Sequence, residues 1–183
     1  MHSHRFQSFA TALFLAGLAA SAQAQNTPPI KPGLWQMQMA NEVDGQKAPD
    51  MAEALKNVPP EMRKQMEAMM KQRGVDMGAG GGTRICQNRE SLDQGRWKGE
   101  QGRCKTDMLS QSASSWKWRS RCTEPESETE GEAVFTGPES YTVNARSTTR
   151  VAGQMRQTNT SINAKWLGAD CGDLKPMKPP ASK

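Results

Sequence analysis

The chain has 183 residues, a formal net charge of +5 and a pI near 9.2, a length that suits one domain of ordinary size. Its two histidines are His2 and His4, so the rest of the chain holds no Ser-His or Cys-His nucleophile pair, and the commonest hydrolase designs are excluded. A charge this modest also gives no strong field for nucleic acid.

In chain order, Arg5 marks a short basic region, the stretch from Phe9 to Ala20 is mostly apolar, and Ala22-Gln23-Ala24 has the A-x-A form of a cleavage site. This pattern predicts a signal peptide over residues 1–24 and a mature, exported, periplasmic chain that starts near Gln25. The apolar stretch is about 12 residues where a membrane span needs roughly 20, and no later segment is apolar enough, so no transmembrane segment is expected. No cysteine lies near the cleavage point to carry a lipid.

The mature body, a single domain expected over residues 25–174, holds only 16 Leu, Ile, Val and Phe residues. That is about a tenth of it, below the roughly 20% at which disorder becomes a concern. Eleven methionines of the mature chain and five tryptophans (Trp35, Trp97, Trp116, Trp118, Trp166) add apolar area, and cross-links would lower the entropy of the unfolded chain. Cys86, Cys104, Cys122 and Cys171 all fall in the exported part, with no C-x-x-C pair to suggest a redox centre or a zinc knuckle. Two structural disulfides are expected. Three pairings are possible, and local pattern favours one. Arg103–Leu109 and Ser115–Cys122 read as two strands around the turn 110–114, which would set Cys104 opposite Cys122 and leave Cys86 for Cys171.

From Gly33 to Val43 the residues Trp35, Met37 and Met39 alternate with Gln36 and Gln38, the pattern of a half-buried strand. A helical insertion over about residues 50–74 follows. Asp50-Met-Ala-Glu53 resembles a capping box for a short helix through Lys56, which Pro59-Pro60 interrupts. A second helix is predicted over Glu61–Arg73, with Pro60 at its first position, Lys71 and Arg73 near its negative end and Gly74 as its stop. Met62, Met66, Met69 and Met70 recur at helical spacing as one methionine face, opposite Arg63, Lys64, Glu67 and Lys71.

A glycine-rich connector at 78–82 leads to Thr83–Cys86 and a helical turn near Arg89–Gln94. Further strands are predicted over Glu132–Thr136, Tyr141–Thr149 and Gln154–Trp166, joined by turns such as Gly137-Pro138 and Ala152-Gly153. Consecutive strands of this kind argue for an antiparallel meander. The tail 175–183 has the Pro/Lys composition of a disordered terminus.

Several motifs bear on chemistry. Ser114-Ser-Trp-Lys117 fits the S-x-x-K of penicillin-recognising enzymes, yet its context alternates as a strand and no partner motif follows. Glu124, Glu126, Glu128, Glu130 and Glu132 place carboxylates at every second residue. They lack the mixed ligands and turn glycine of a calcium loop, so a solvated hairpin arm with no specific metal is expected. The methionine face raises binding of Cu(I), because thioethers are soft ligands; the plainer alternative is a helix that docks its apolar stripe on the sheet. Trp116-Lys-Trp-Arg-Ser-Arg121 mixes aromatic and basic residues as single-strand nucleic-acid binders do. Strict alternation instead puts the tryptophans inside and the cations outside.

Lys31-Pro-Gly-Leu-Trp35, the helix Pro60–Gly74, Cys86, Trp118–Cys122, Phe135-Thr-Gly through Tyr141, and Trp166-Leu-Gly-Ala-Asp-Cys171 together resemble a bacterial exported family, domain of unknown function 3617. The resemblance spans nearly the whole mature chain. It implies a small envelope protein with cysteines near these positions, and it supplies no activity and no functional residues. Cys86 is followed by Gln-Asn-Arg-Glu where the family usually has a Thr-Pro-Glu turn, and the glutamate arm after Cys122 is longer than usual.

The fold class expected is α+β: a mainly antiparallel, curved sheet with a methionine-rich helical insertion after its first strand and two disulfides. The function expected is a non-enzymatic binding module for an apolar ligand or an envelope partner, with no cofactor and no nucleic acid. In this reading the helix bearing Met62, Met66, Met69 and Met70 moves as a lid over the sheet. The alternatives are a Cu(I) carrier on the same face and a hydrolase with carboxylate chemistry.

Overall fold

A computed structural model describes residues 27–78, 82–93, 99–101 and 103–176. The expected signal peptide, Trp97, the middle of the glycine-rich connector and the end of the tail lie outside these residues.

Alternating side chains make most of the chain strand. The strands are β1 (Gly33–Val43), β2 (Gln46–Lys47), β3 (Val75–Met77), β4 (Thr83–Gln87), β5 (Gly99–Gln101), β6 (Cys104–Gln111), β7 (Ser115–Thr123), β8 (Glu126–Gly137), β9 (Ser140–Val151) and β10 (Gln154–Gly168). Three helices accompany them: α1 (Met51–Lys56), α2 (Pro60–Gln72) and α3 (Arg89–Asp93). All strands join one antiparallel sheet in the order β3-β4-β1-β10-β9-β8-β7-β6-β5, with β2 against β1. The meander from β5 to β10 is thus closed onto the first strand. Among the described residues no helix is long and apolar enough to cross a membrane.

Helix ends follow local chemistry. The Asp50 carboxylate accepts the Glu53 N–H at 2.7 Å and caps α1. Pro60 opens α2, and Gly74 takes a φ of +82°, which a residue without Cβ adopts freely. In α3 the Asn88 side chain accepts the Ser91 N–H.

β8 starts at Glu126, six residues before the strand expected from the sequence. The glutamate run from Glu126 is thus the second arm of the β7–β8 hairpin, with Glu126, Glu128 and Glu130 exposed to solvent as expected, and it is already half of a central strand. Its neighbours supply the reason: Glu132, Glu130 and Glu128 stand directly opposite Lys117, Arg119 and Arg121 of β7. Arg119 Nε lies 2.7 Å from Glu130, Arg121 Nε 3.2 Å from Glu128 and Arg150 Nε 2.8 Å from Glu126. Like charges two residues apart are tolerated because each faces an opposite charge across the ladder. The Arg150 hydrogen bond and charge hold the Glu126 carboxyl below its ordinary range, and bonding to Glu130 raises Arg119.

Candidate functional site

Register fixes which side chains share a face, since residues directly opposite in an antiparallel ladder point the same way. One face carries the ladder just described. On the other face the side chains form rows across the strands. Phe135, Tyr141, Ala164 and Met37 make one row, and Trp116, Ala133, Val143, Ile162 and Met39 the next. Then come Met108, Trp118, Gly131, Ala145, Thr160 and Asn41. The row beyond is hydroxylic: Thr106 bonds Ser120 at 3.0 Å, and Thr129 bonds Ser147 at 2.9 Å. From β3 across to β6, none of these rows contains a charged side chain.

This uncharged face is only half covered. Its aromatic end forms the core: Trp35, Ile85, Trp116, Phe135, Tyr141 and Ala164 are buried, under Ile30 of the segment before β1 and Leu92 of α3. The rings of Trp35 and Tyr141 are 5.1 Å apart, and Trp116 meets Phe135 edge-on at 5.6 Å. Burying a tryptophan removes about 200 Å² from water, on the order of 5 kcal/mol at about 25 cal/mol per Å² as an upper bound. Three indole N–H groups find a carbonyl: Trp35 reaches Lys31, Trp116 reaches Ser112, and Trp166 reaches Pro32. Toward the hydroxylic end the cover stops. Val143, Ile162, Met108 and Trp118 are half-buried, and Met39 is 49% exposed.

The charged face carries a furrow of about 620 Å³ that crosses the strands between Glu42, Asn159, Arg146 and Glu130 on one side and Ser161, Asn144, Glu132 and Lys117 on the other. Its charges are largely spent on one another. Lys117 lies 3.7 Å from Glu132, and Arg146 donates to Gln157 at 2.6 Å. The alternation around Trp116 and Trp118 places Lys117, Arg119 and Arg121 on this face, away from the tryptophans.

The cysteines form two disulfides, Cys86–Cys171 and Cys104–Cys122, with Cα separations of 5.6 Å and 4.0 Å. The first fastens the segment after β10 to β4, where Pro176 also bridges to Cys86. The second joins facing residues of β6 and β7.

The methionines of α2 are arranged differently from a docked stripe. No side chain of this helix is buried; Met62 and Met69 are 56% and 55% exposed, and Met66 and Met70 are half-buried. The helix packs along β3 at the end of the sheet. Sequence pattern alone misses this, because spacing reveals that a stripe exists and not how far the helix is rotated. Among the described residues no group of three His, Cys, Asp or Glu side chains is placed to hold a metal ion.

The family described as Protein of unknown function (DUF3617) matches residues 30–171. The chain belongs to this family. The match begins at Ile30, the core residue ahead of β1, and ends at Cys171, the last disulfide partner, so it takes in the whole sheet and α2. A relative from Pseudomonas putida, named as an uncharacterised protein in the lpd-3 5′ region, is 31% identical over 129 residues, 67% of this chain and 89% of the relative. No solved structure matches the chain.

Proposed function

We propose that this family member is an exported, non-enzymatic binding module of the periplasm, which takes an apolar ligand or the apolar surface of an envelope partner on the uncovered half of its uncharged face. The observation that carries this is the asymmetry of the sheet. A face meant for water carries charge, as the opposite face does. Here the side chains of Met39, Ile162, Val143, Trp118 and Met108 carry none, and they are only partly covered. Exposed apolar side chains in one patch mark an interaction site more often than scattered ones do. Export is supported by the residue pattern of 1–24 and by two disulfides, which persist in oxidising compartments. α2 supports a movable cover for the surface, since it buries no side chain and is joined through Pro59 on one side and Gly74 on the other.

The test is native mass spectrometry of the mature protein purified gently from the cell envelope, beside the variants Met39→Lys and Val143→Lys. A co-purifying apolar molecule or protein that both variants lose supports the proposal. Retention by the lysine variants, or a bare protein in every preparation, sinks it. Osmotic-shock fractionation checks the compartment, and hydrogen exchange in α2 as slow as in β9 excludes the movable cover.

A further inference from the structure

We propose that Met62, Met66 and Met69 of α2 form a thioether site for Cu(I). At about 100° per residue, Met66 and Met69 lie within roughly 40° of Met62 around the helix, and the three span about 10 Å along it. Three rotatable bonds let each methionine sulfur move toward the middle of that span. Met70 falls about 80° away, is half-buried and is not part of the trio.

The exposures decide between the two explanations of a methionine stripe. A stripe that serves only to dock the helix is buried by the docking. Here Met62 and Met69 are more than half exposed and Met66 is half-buried between them. Docking does not account for them. Neutral, polarisable thioethers select a soft cation of low charge, and they offer nothing to Zn(II) or Ca(II), which prefer nitrogen, thiolate or oxygen.

The surrounding charges leave the stripe accessible. Arg63 donates to the Val58 carbonyl at 3.2 Å, Lys64 lies 3.8 Å from Glu61, and Lys71 lies 3.8 Å from Asp76. Arg73 sits one turn beyond Met69, and Arg63 adjoins Met62. Stronger soft ligands do not compete, because all four cysteines are in disulfides and the chain has no histidine after His4. This site is separate from the uncharged sheet face.

The experiment titrates the mature, disulfide-intact protein with Cu(I) under anaerobic ascorbate, against bicinchoninate as competing chelator. Methionine methyl resonances are followed with Ag(I) as a redox-inert probe. The expected result is one equivalent bound, with the methyl signals of Met62, Met66 and Met69 shifted. Leucine keeps the helix propensity and nearly the volume of methionine, so M62L/M66L/M69L removes the sulfurs and keeps the apolar stripe. Changing outer partners of metal ligands costs 10–100-fold, so losing the ligands themselves weakens Cu(I) by at least about 100-fold. M155L, at an exposed methionine of β10, leaves it unchanged. Failure to compete with the chelator, equal binding by the triple leucine variant, or equally tight Zn(II) binding overturns the site. Because the triple variant preserves apolar area, capture of an apolar ligand by the sheet survives it, and the two readings fail separately.

Discussion

The indole of Trp118 lies over the neighbouring strand in the space above Gly131, where a Cβ would collide with ring atoms Cζ2, Cε2 and Cη2. The two residues are directly opposite in the β7–β8 ladder. Glycine is required here for space, since it weakens a strand interior otherwise. Gly131→Ala should therefore displace the ring and cost about 1–3 kcal/mol, the range for overpacking. Equilibrium denaturation read by tryptophan fluorescence checks this; a midpoint equal to that of the parent protein would show that the ring moves freely.

The two disulfides should differ in worth. In the chain-entropy model, closing the 18-residue separation of Cys104–Cys122 gives about 3 kcal/mol, and the 85-residue separation of Cys86–Cys171 about 4–5 kcal/mol. Cys86 is also buried. Cys86→Ala/Cys171→Ala should consequently lower the guanidinium midpoint more than Cys104→Ala/Cys122→Ala. The reverse order would mean that the unfolded chain retains structure across the larger loop.

Particular elements show what the sequence makes legible. The Trp35-Met37-Met39 alternation, the 104–122 hairpin and the helix from Pro60 are local patterns, and each corresponds to a strand, a hairpin or a helix at those residues. The hairpin turn is tighter than expected, because the strands run on to Gln111 and resume at Ser115. The start of β8 was hidden because its glutamates are compensated by arginines on other strands, which no local pattern reveals. The short strands β2, β3 and β5 carry too few residues to alternate. Placement of β1 between β4 and β10 is a long-range fact of the same kind. The uncharged face likewise becomes visible only when register aligns six strands, since no single strand is free of polar residues. Trp118 and Gly131 are separate features in sequence and a single feature in space.

The chain has one tyrosine, and its titration should report on the core. Burial raises the Tyr141 pKa above 10, opposed by a hydrogen bond from Gln87 at 3.2 Å. A raised folded-state value means that the stabilisation is complete below the unfolded pKa near 10 and is lost as pH climbs through the folded value. Phenolate absorbance should thus appear together with loss of the native tryptophan signal, at a pH above 10. Tyr141→Phe should abolish that phenolate step and leave the buried Gln87 amide without this partner, at a cost of about 1–3 kcal/mol at neutral pH. Phenolate formation at an ordinary pKa in a folded protein would contradict the burial.

Ile30 is the last test of how the domain is closed. It is 5% exposed and belongs to the core cluster, although it precedes every strand. The segment is fastened on both sides. The Lys31 N–H donates to the Pro138 carbonyl at 2.9 Å, its Nζ sits 4.8 Å from the centroid of the Trp166 ring, and its carbonyl accepts the Trp35 indole. Gly33 follows with a φ of +137°, and a Cβ there would run into the Gly168 carbonyl, so the chain passes too close to β10 to tilt and refill a void. Ile30→Ala should leave a cavity beside Trp35 and cost about 2–5 kcal/mol, the range for isoleucine truncation in rigid surroundings. Ile30→Val should cost about 0.5–1.5 kcal/mol. If urea denaturation gave the two variants the same small loss, the segment would be a loose flap, and the aromatic end of the face would be as open as the end that holds Met39.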